Sequence, residues 1–154
     1  VARYYLYQIS TRRTAFAKNF VWWIKDSLNV EEMRECAEML VGRHDFASFC
    51  EQEEDKKPST IVAVERAEVF TDGDLICFRI GASHFLWKMV RRIVGMMAEV
   101  GRGNASVRDF QRLLKFQSNA AAQFTAPPSG LFLEKVLYKD DQPPNQNKAL
   151  FPIY

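Results

Sequence analysis

Three cations crowd the run Phe85-Leu86-Trp87-Lys88-Met89-Val90-Arg91-Arg92-Ile93-Val94-Gly95. At about 100° per residue, Leu86, Met89, Val90, Ile93, Met96, Met97 and Val100 fall on one broad arc of a helix. Lys88, Arg91, Arg92, Gly95 and Glu99 fall on the opposite arc, and Gly101 and Gly103 supply a stop. The spacing predicts a helix over 85–100, greasy on one side and basic on the other. Such a basic side suits a phosphate or a carboxylate, because the planar fork of arginine donates two parallel hydrogen bonds to either. A solvated face on a core helix is the plainer alternative.

The neighbouring pair His44-Asp45 invites a dyad reading, which the sequence does not support. Adjacent residues rarely face each other usefully, and no Ser or Cys nucleophile motif accompanies them. Asp45 is better suited to bonding backbone N–H groups of its loop, with Phe46 and Phe49 as anchors. The three cysteines, Cys36, Cys50 and Cys77, lack C-x-x-C spacing and read as small hydrophobes in a reducing compartment. Two histidines without ligand spacing argue against a metal site. No apolar run approaches the ~20 residues of a membrane span. The 154 residues are 47% hydrophobic and 26% charged, as expected of one globular domain over 1–154. A net charge of +2 is too mild to imply nucleic acid, so any RNA case rests on local clusters.

The elements that must position these residues can be read in order. Residues 2–10 alternate as a strand, with Arg3, Tyr5, Tyr7 and Ile9 on one face. Residues 11–28 read as a connecting segment pinned by aromatics. Asn29 caps a helix carrying Met33, Cys36, Ala37, Leu40 and Val41, closed by Gly42. Residues 51–59 form a charged surface loop. Strands near 61–70 and 75–82 join through Asp72-Gly73, a strong hairpin signal. After the basic helix, Ser106 with Asp109 opens another helix. Pro127, Pro128 and Gly130 turn the chain into a last strand, 131–138. The polar tail ends on Leu150-Phe151-Pro152-Ile153-Tyr154, an apolar end suited to docking on the body or on a neighbouring chain. This order predicts an α+β fold, a mainly antiparallel sheet with helices packed on one face.

Four stretches, in order, resemble the TruA family of tRNA pseudouridine synthases. Ala2-Arg3-Tyr4-Tyr5-Leu6-Tyr7 resembles its A-R-x-Y-x-Y strand, and Gly42-Arg43-His44-Asp45-Phe46-Ala47-Ser48-Phe49 its G-x-H-D-F-x-x-F loop. Phe85–Gly95 resembles F-L-x-x-M-V-R-x-I-V-G, and Thr125-Ala126-Pro127-Pro128-Ser129-Gly130-Leu131 resembles T-A-P-x-x-G-L. The family's G-R-T-D-x-G-V-H stretch, which holds the nucleophilic aspartate, has no counterpart here.

The resemblance implies the C-terminal domain of a longer enzyme, built as an RRM-like or ferredoxin-like half of the synthase fold. It implies isomerisation of uridine to pseudouridine in the tRNA anticodon arm, without a cofactor or metal. It further implies a cytoplasmic homodimer that binds tRNA and no membrane. Three residues take site roles by matching family motifs. Arg91 would orient the catalytic aspartate across an open cleft, Tyr5 would stack on the target base and take part at its C5 proton, and Leu131 would form an apolar wall. Leu131 could equally be a plain core leucine. Lys88, Arg92 and Arg102 are the candidate RNA contacts, with solvated charges as the alternative for Lys88 and Arg92. The fragment alone should be inactive. A stand-alone RNA-binding module of the same fold, or an unrelated ferredoxin-like interaction domain, is the rival reading.

Overall fold

The computed structural model describes residues 1–52 and 59–153, so most of the expected 51–59 loop lies outside the described residues. In chain order the elements are β1 (Ala2–Ser10), β2 (Trp22–Trp23), α1 (Val30–Glu38), β3 (Gly42–Asp45), β4 (Ile61–Asp72), β5 (Leu75–Ala82), α2 (Met89–Arg102), α3 (Val107–Lys115) and β6 (Leu131–Leu137). Single 3-10 turns at Ala47–Phe49, Ala120–Phe124 and Pro128–Gly130 lie between them.

The architecture is α+β. Six strands form one sheet in the order β2-β1-β5-β4-β3, with β6 also paired to β1. All pairings are antiparallel except the short parallel one between β1 and β2. β6 pairs with Ala2–Tyr7 and β2 with Ile9 and Ser10, so both share one edge of β1. Central β5 is buried along its whole length, because both of its faces are covered.

The three helices lie on one face, over Tyr7, Ile9, Val62, Val64, Phe78 and Ile80. In β4 the inward alternation changes phase, from Val62 and Val64 to Ala67 and Val69. The cause is a bulge at Val64–Arg66, which moves every later side chain to the other face. The second face is closed by a small cluster of Leu6, Val21, Phe70, Leu75 and Cys77, with Ala149 and Ile153 laid over it. The apolar C-terminal end therefore docks on the body. Phe151 stacks on Phe20 at 4.8 Å, and the buried Gln8 carboxamide accepts from the N–H groups of Leu150 and Phe151.

Arg79 of β5 projects onto this second face and is 1% exposed. It donates to Glu68 at 2.7 Å and to both carboxylate oxygens of Glu134, at 2.8 and 3.0 Å. It also donates to the Gln146 carbonyl at 2.6 Å, which ties the tail to the sheet. A buried guanidinium is tolerable only with such complete pairing.

The caps at Asn29 and Ser106 form as expected, the second as a full capping box with Asp109. Three expectations need correction. The basic helix begins at Met89, not Phe85, because Lys88 takes a left-handed φ of 62° that a helix cannot continue through. Residues 42–45 are strand β3 and not a loop, pairing with residues 61–64. Residues 22–23 are strand β2, within what reads as a connection. In the last two cases the pairing partner is distant or the run is too short for any periodicity to register.

Candidate active site

The site is built where β1, β6 and the start of α2 converge. Leu131 lies opposite Tyr7 and Leu133 opposite Tyr5 in the β1–β6 register, so Tyr5 and Leu131 stand diagonally on the same, helix-covered face. Tyr5 is half-buried and meets Phe85 edge-on, with ring centres 4.9 Å apart. Tyr5, Leu131, Arg91 and residues 85–90 line a cavity of about 450 Å³. The three residues picked out by motif, the outer two more than 120 positions apart in the chain, thus share one concave surface. A pocket of this size and lining holds a small planar ring.

Arg91 sits in the first turn of α2. Its Nε–H donates to the Ala126 carbonyl at 2.7 Å, and its own carbonyl accepts from the Ala126 N–H at 2.9 Å. Its two terminal NH₂ groups have no partner among the described residues. The helix can approach residues 124–126 this closely because residue 95 is glycine. A Cβ there would stand 1.4 Å from the Phe124 carbonyl oxygen. The helical spacing places Gly95 on the polar arc and does not reveal this packing role, although a glycine inside an apolar helical pattern is a signal of close approach.

Tyr7 is fully buried and donates its phenolic O–H to the Pro127 carbonyl at 2.6 Å. Burial raises its pKa, and the nearby Arg91 charge acts in the opposite sense. Tyr4, on the other face, is also buried and donates to Glu65 at 2.7 Å.

The three candidate RNA contacts have different surroundings. Lys88 lies at the cavity rim, pairs with Glu51 at 2.5 Å and sits 5.0 Å from the exposed Trp87 ring. Arg92 points inward, not to solvent. It is 12% exposed, donates to the Cys50 carbonyl at 2.8 Å and lies 3.7 Å from Glu51. The Lys88 ammonium holds the Glu51 carboxyl below the ordinary carboxylate range. Arg102 is not near the cavity. It ends α2 about 20 Å along the helix axis from Lys88, pairs with Asp26 and Glu99 and lies over Trp22.

His44 and Asp45 are structural. Asp45 accepts from the Ala47 N–H and the Thr60 hydroxyl, while Phe46 and Phe49 are buried. All three cysteines are free and buried, and burial pushes the thiols of Cys36 and Cys77 up to about 12. Among the described residues no group of His, Cys, Asp or Glu could hold a metal ion, and no helix is long and apolar enough to cross a membrane.

The cavity can therefore clasp a flat ring between Tyr5 and Leu131 and offer two N–H donor groups to an anion. Its described lining includes no carboxylate or thiol, and its one hydroxyl is the Tyr5 phenol. It has walls and a cation without an attacking group.

Residues 36–139 match the family model described as tRNA pseudouridine synthase, a span that contains Arg91 and Leu131 but not Tyr5. Proteins named tRNA pseudouridine synthase A from Brucella ovis, Brucella abortus and Brucella melitensis are each 36% identical to this chain over 139 residues. That stretch is 89% of this chain and 55% of each relative, so the chain spans about half the length of the curated relatives it matches. With two thirds of its length under the family model and the motif residues gathered in one cavity, the chain belongs to the TruA family of tRNA pseudouridine synthases.

Proposed function

We propose that this chain is the C-terminal half of a tRNA pseudouridine synthase and supplies the walls and the orienting cation of its active site. The reaction breaks the N1–C1′ bond of a uridine, turns the released uracil and joins its C5 to C1′. The C5 proton must then leave and N1 must gain one, so no atoms are lost. The ring needs enclosing surfaces while it is free, which Tyr5 and Leu131 provide. The sugar needs a carboxylate, which Arg91 orients from the facing half. The observation that carries this reading is the cavity itself, with Tyr5, Arg91 and Leu131 on one surface and no carboxylate in its described lining. The anticodon arm is the target region, Lys88 meets the RNA, Arg92 serves as an internal brace on Cys50 and not as an RNA contact, and the whole enzyme is a cytoplasmic homodimer. Arg102, ion-paired at the far end of α2, is retained only as an outlying RNA contact.

The test compares two proteins with tRNA as substrate, read by pseudouridine-specific chemical mapping. The 154-residue chain should give no product. A full-length protein carrying the remaining half should modify uridines of the anticodon arm. Turnover by the short chain alone would overturn this assignment of roles. RNA binding by a full-length protein without turnover would favour a binding module of the same fold.

A further inference from the structure

We infer that Tyr7 is a positioning residue, whose phenolic hydrogen bond to Pro127 locks Arg91 so that an anion can meet only its two terminal NH₂ groups. The inference rests on the proposed role of Arg91. The geometry is a short chain of contacts. Tyr5, on the cavity wall, is two residues before Tyr7 on the same face of β1. The Tyr7 hydroxyl holds the Pro127 carbonyl at 2.6 Å, and the adjoining Ala126 is bonded twice to Arg91, at 2.7 and 2.9 Å. Leu131, across from Tyr7 in register, closes the same loop on the cavity. Gly130 lets that loop lie against Tyr7, since a Cβ there would come within 2.8 Å of the ring. One buried side chain thus joins the strand that carries the stacking ring to the loop that carries both the apolar wall and the acceptor for Arg91.

The consequence for Arg91 is directional. An arginine can present a carboxylate either its Nε and one NH₂ group or its two NH₂ groups. Here Nε is spent on Ala126, so only the end-on edge is available. If the Pro127 carbonyl lost its donor, the loop could shift and Arg91 could turn its side edge to the anion. The reaction centre would then be misaligned while the RNA-binding surface stayed intact.

Two substitutions test this, Tyr7→Phe and, as a matched control, Tyr4→Phe. Each deletes one phenolic hydrogen bond of a buried tyrosine on the same strand, but Tyr4 faces away from the cavity. In the full-length enzyme Tyr7→Phe should lower kcat tenfold or more with KM for tRNA within twofold. Tyr4→Phe should leave kcat within twofold. In the 154-residue chain, exchange of the Arg91 Nε–H followed by NMR should be at least tenfold faster in Tyr7→Phe and unchanged in Tyr4→Phe. Unchanged kcat or unchanged exchange in Tyr7→Phe, equal losses in both variants, or a KM that rises with the fall in kcat would overturn the proposal. Should Tyr7→Phe fail to fold, the wild-type chain decides. The Tyr7 O–H and Ala126 N–H must then exchange through one shared opening, and different opening constants sink the idea. Absence of turnover by the wild-type full-length protein would count against the proposed function alone, because the exchange measurements need no activity.

Discussion

Gly95 faces the carbonyl of Phe124 so closely that a Cβ on residue 95 would stand 1.4 Å from that oxygen. Residue 95 is buried mid-helix, where alanine would ordinarily be preferred by about 1 kcal/mol. Here contact outweighs propensity. Gly95→Ala should destabilise the chain by about 1–3 kcal/mol, the usual scale of overpacking, because a backbone carbonyl has to move. A urea titration checks this, and a stabilised variant would show that residues 120–126 yield without cost.

Arg91 and Lys88 differ in what surrounds their charge, so their loss should read differently. Arg91→Ala in the full-length enzyme should cut the rate far more than tRNA affinity, because Arg91 lines the cavity and its terminal NH₂ groups have no partner among the described residues. Arg91→Lys should not rescue it, since a point charge lacks the fork. Lys88→Ala should leave the rate nearly intact, weaken binding and reduce the salt slope by about one. Kinetics and binding at two salt concentrations separate the pair.

Arg79→Ala should be among the most damaging single changes on the second face. It would leave the nearly buried Glu134 unpaired, leave Glu68 with Arg66 as its remaining partner and release the Gln146 carbonyl. Breaking a buried ion pair typically costs about 3–5 kcal/mol. Limited proteolysis should then cut residues 142–150 faster than in the unsubstituted chain. Arg79→Met should be milder only if the carboxylates find other donors.

Alkaline pH should unfold the chain through Tyr4 and Tyr7. Burial raises both phenol pKa values above the ordinary 10, with the Glu65 hydrogen bond adding to it for Tyr4. A raised folded-state pKa means its stabilising effect is intact below the unfolded value and is lost above it. The tyrosine contribution to stability should therefore be flat below about pH 10 and fall as pH rises further. Absorbance of ionised tyrosine should show two phenols appearing only as the far-UV signal is lost, and early, complete ionisation in the folded chain would contradict it.

The sequence by itself determined the elements whose signals are local. The caps at Asn29 and Ser106, the Asp72-Gly73 turn between β4 and β5, and the apolar stripe of α2 depend on neighbours a few residues away, and the structure reproduces them. The four-part motif order also carried the family, as the family model and relatives bear out.

What only the tertiary structure decided depends on distant partners. β2 and β3 exist because β1 and β4 offer free hydrogen-bonding edges, a property no residue in 22–23 or 42–45 encodes alone. Arg79 reads as an ordinary strand cation until Glu68, Glu134 and the tail surround it. Arg92 and Arg102 look solvent-facing on a helical wheel, yet carbonyls and carboxylates from other segments claim them. The cavity is the clearest case. Its walls come from β1, α2 and β6, and the sheet register, the close approach at Gly95 and the pinned 126–131 turn bring them together. Residue types and spacing name the participants, but hydrogen bonds and packing over long sequence separations decide which of them meet.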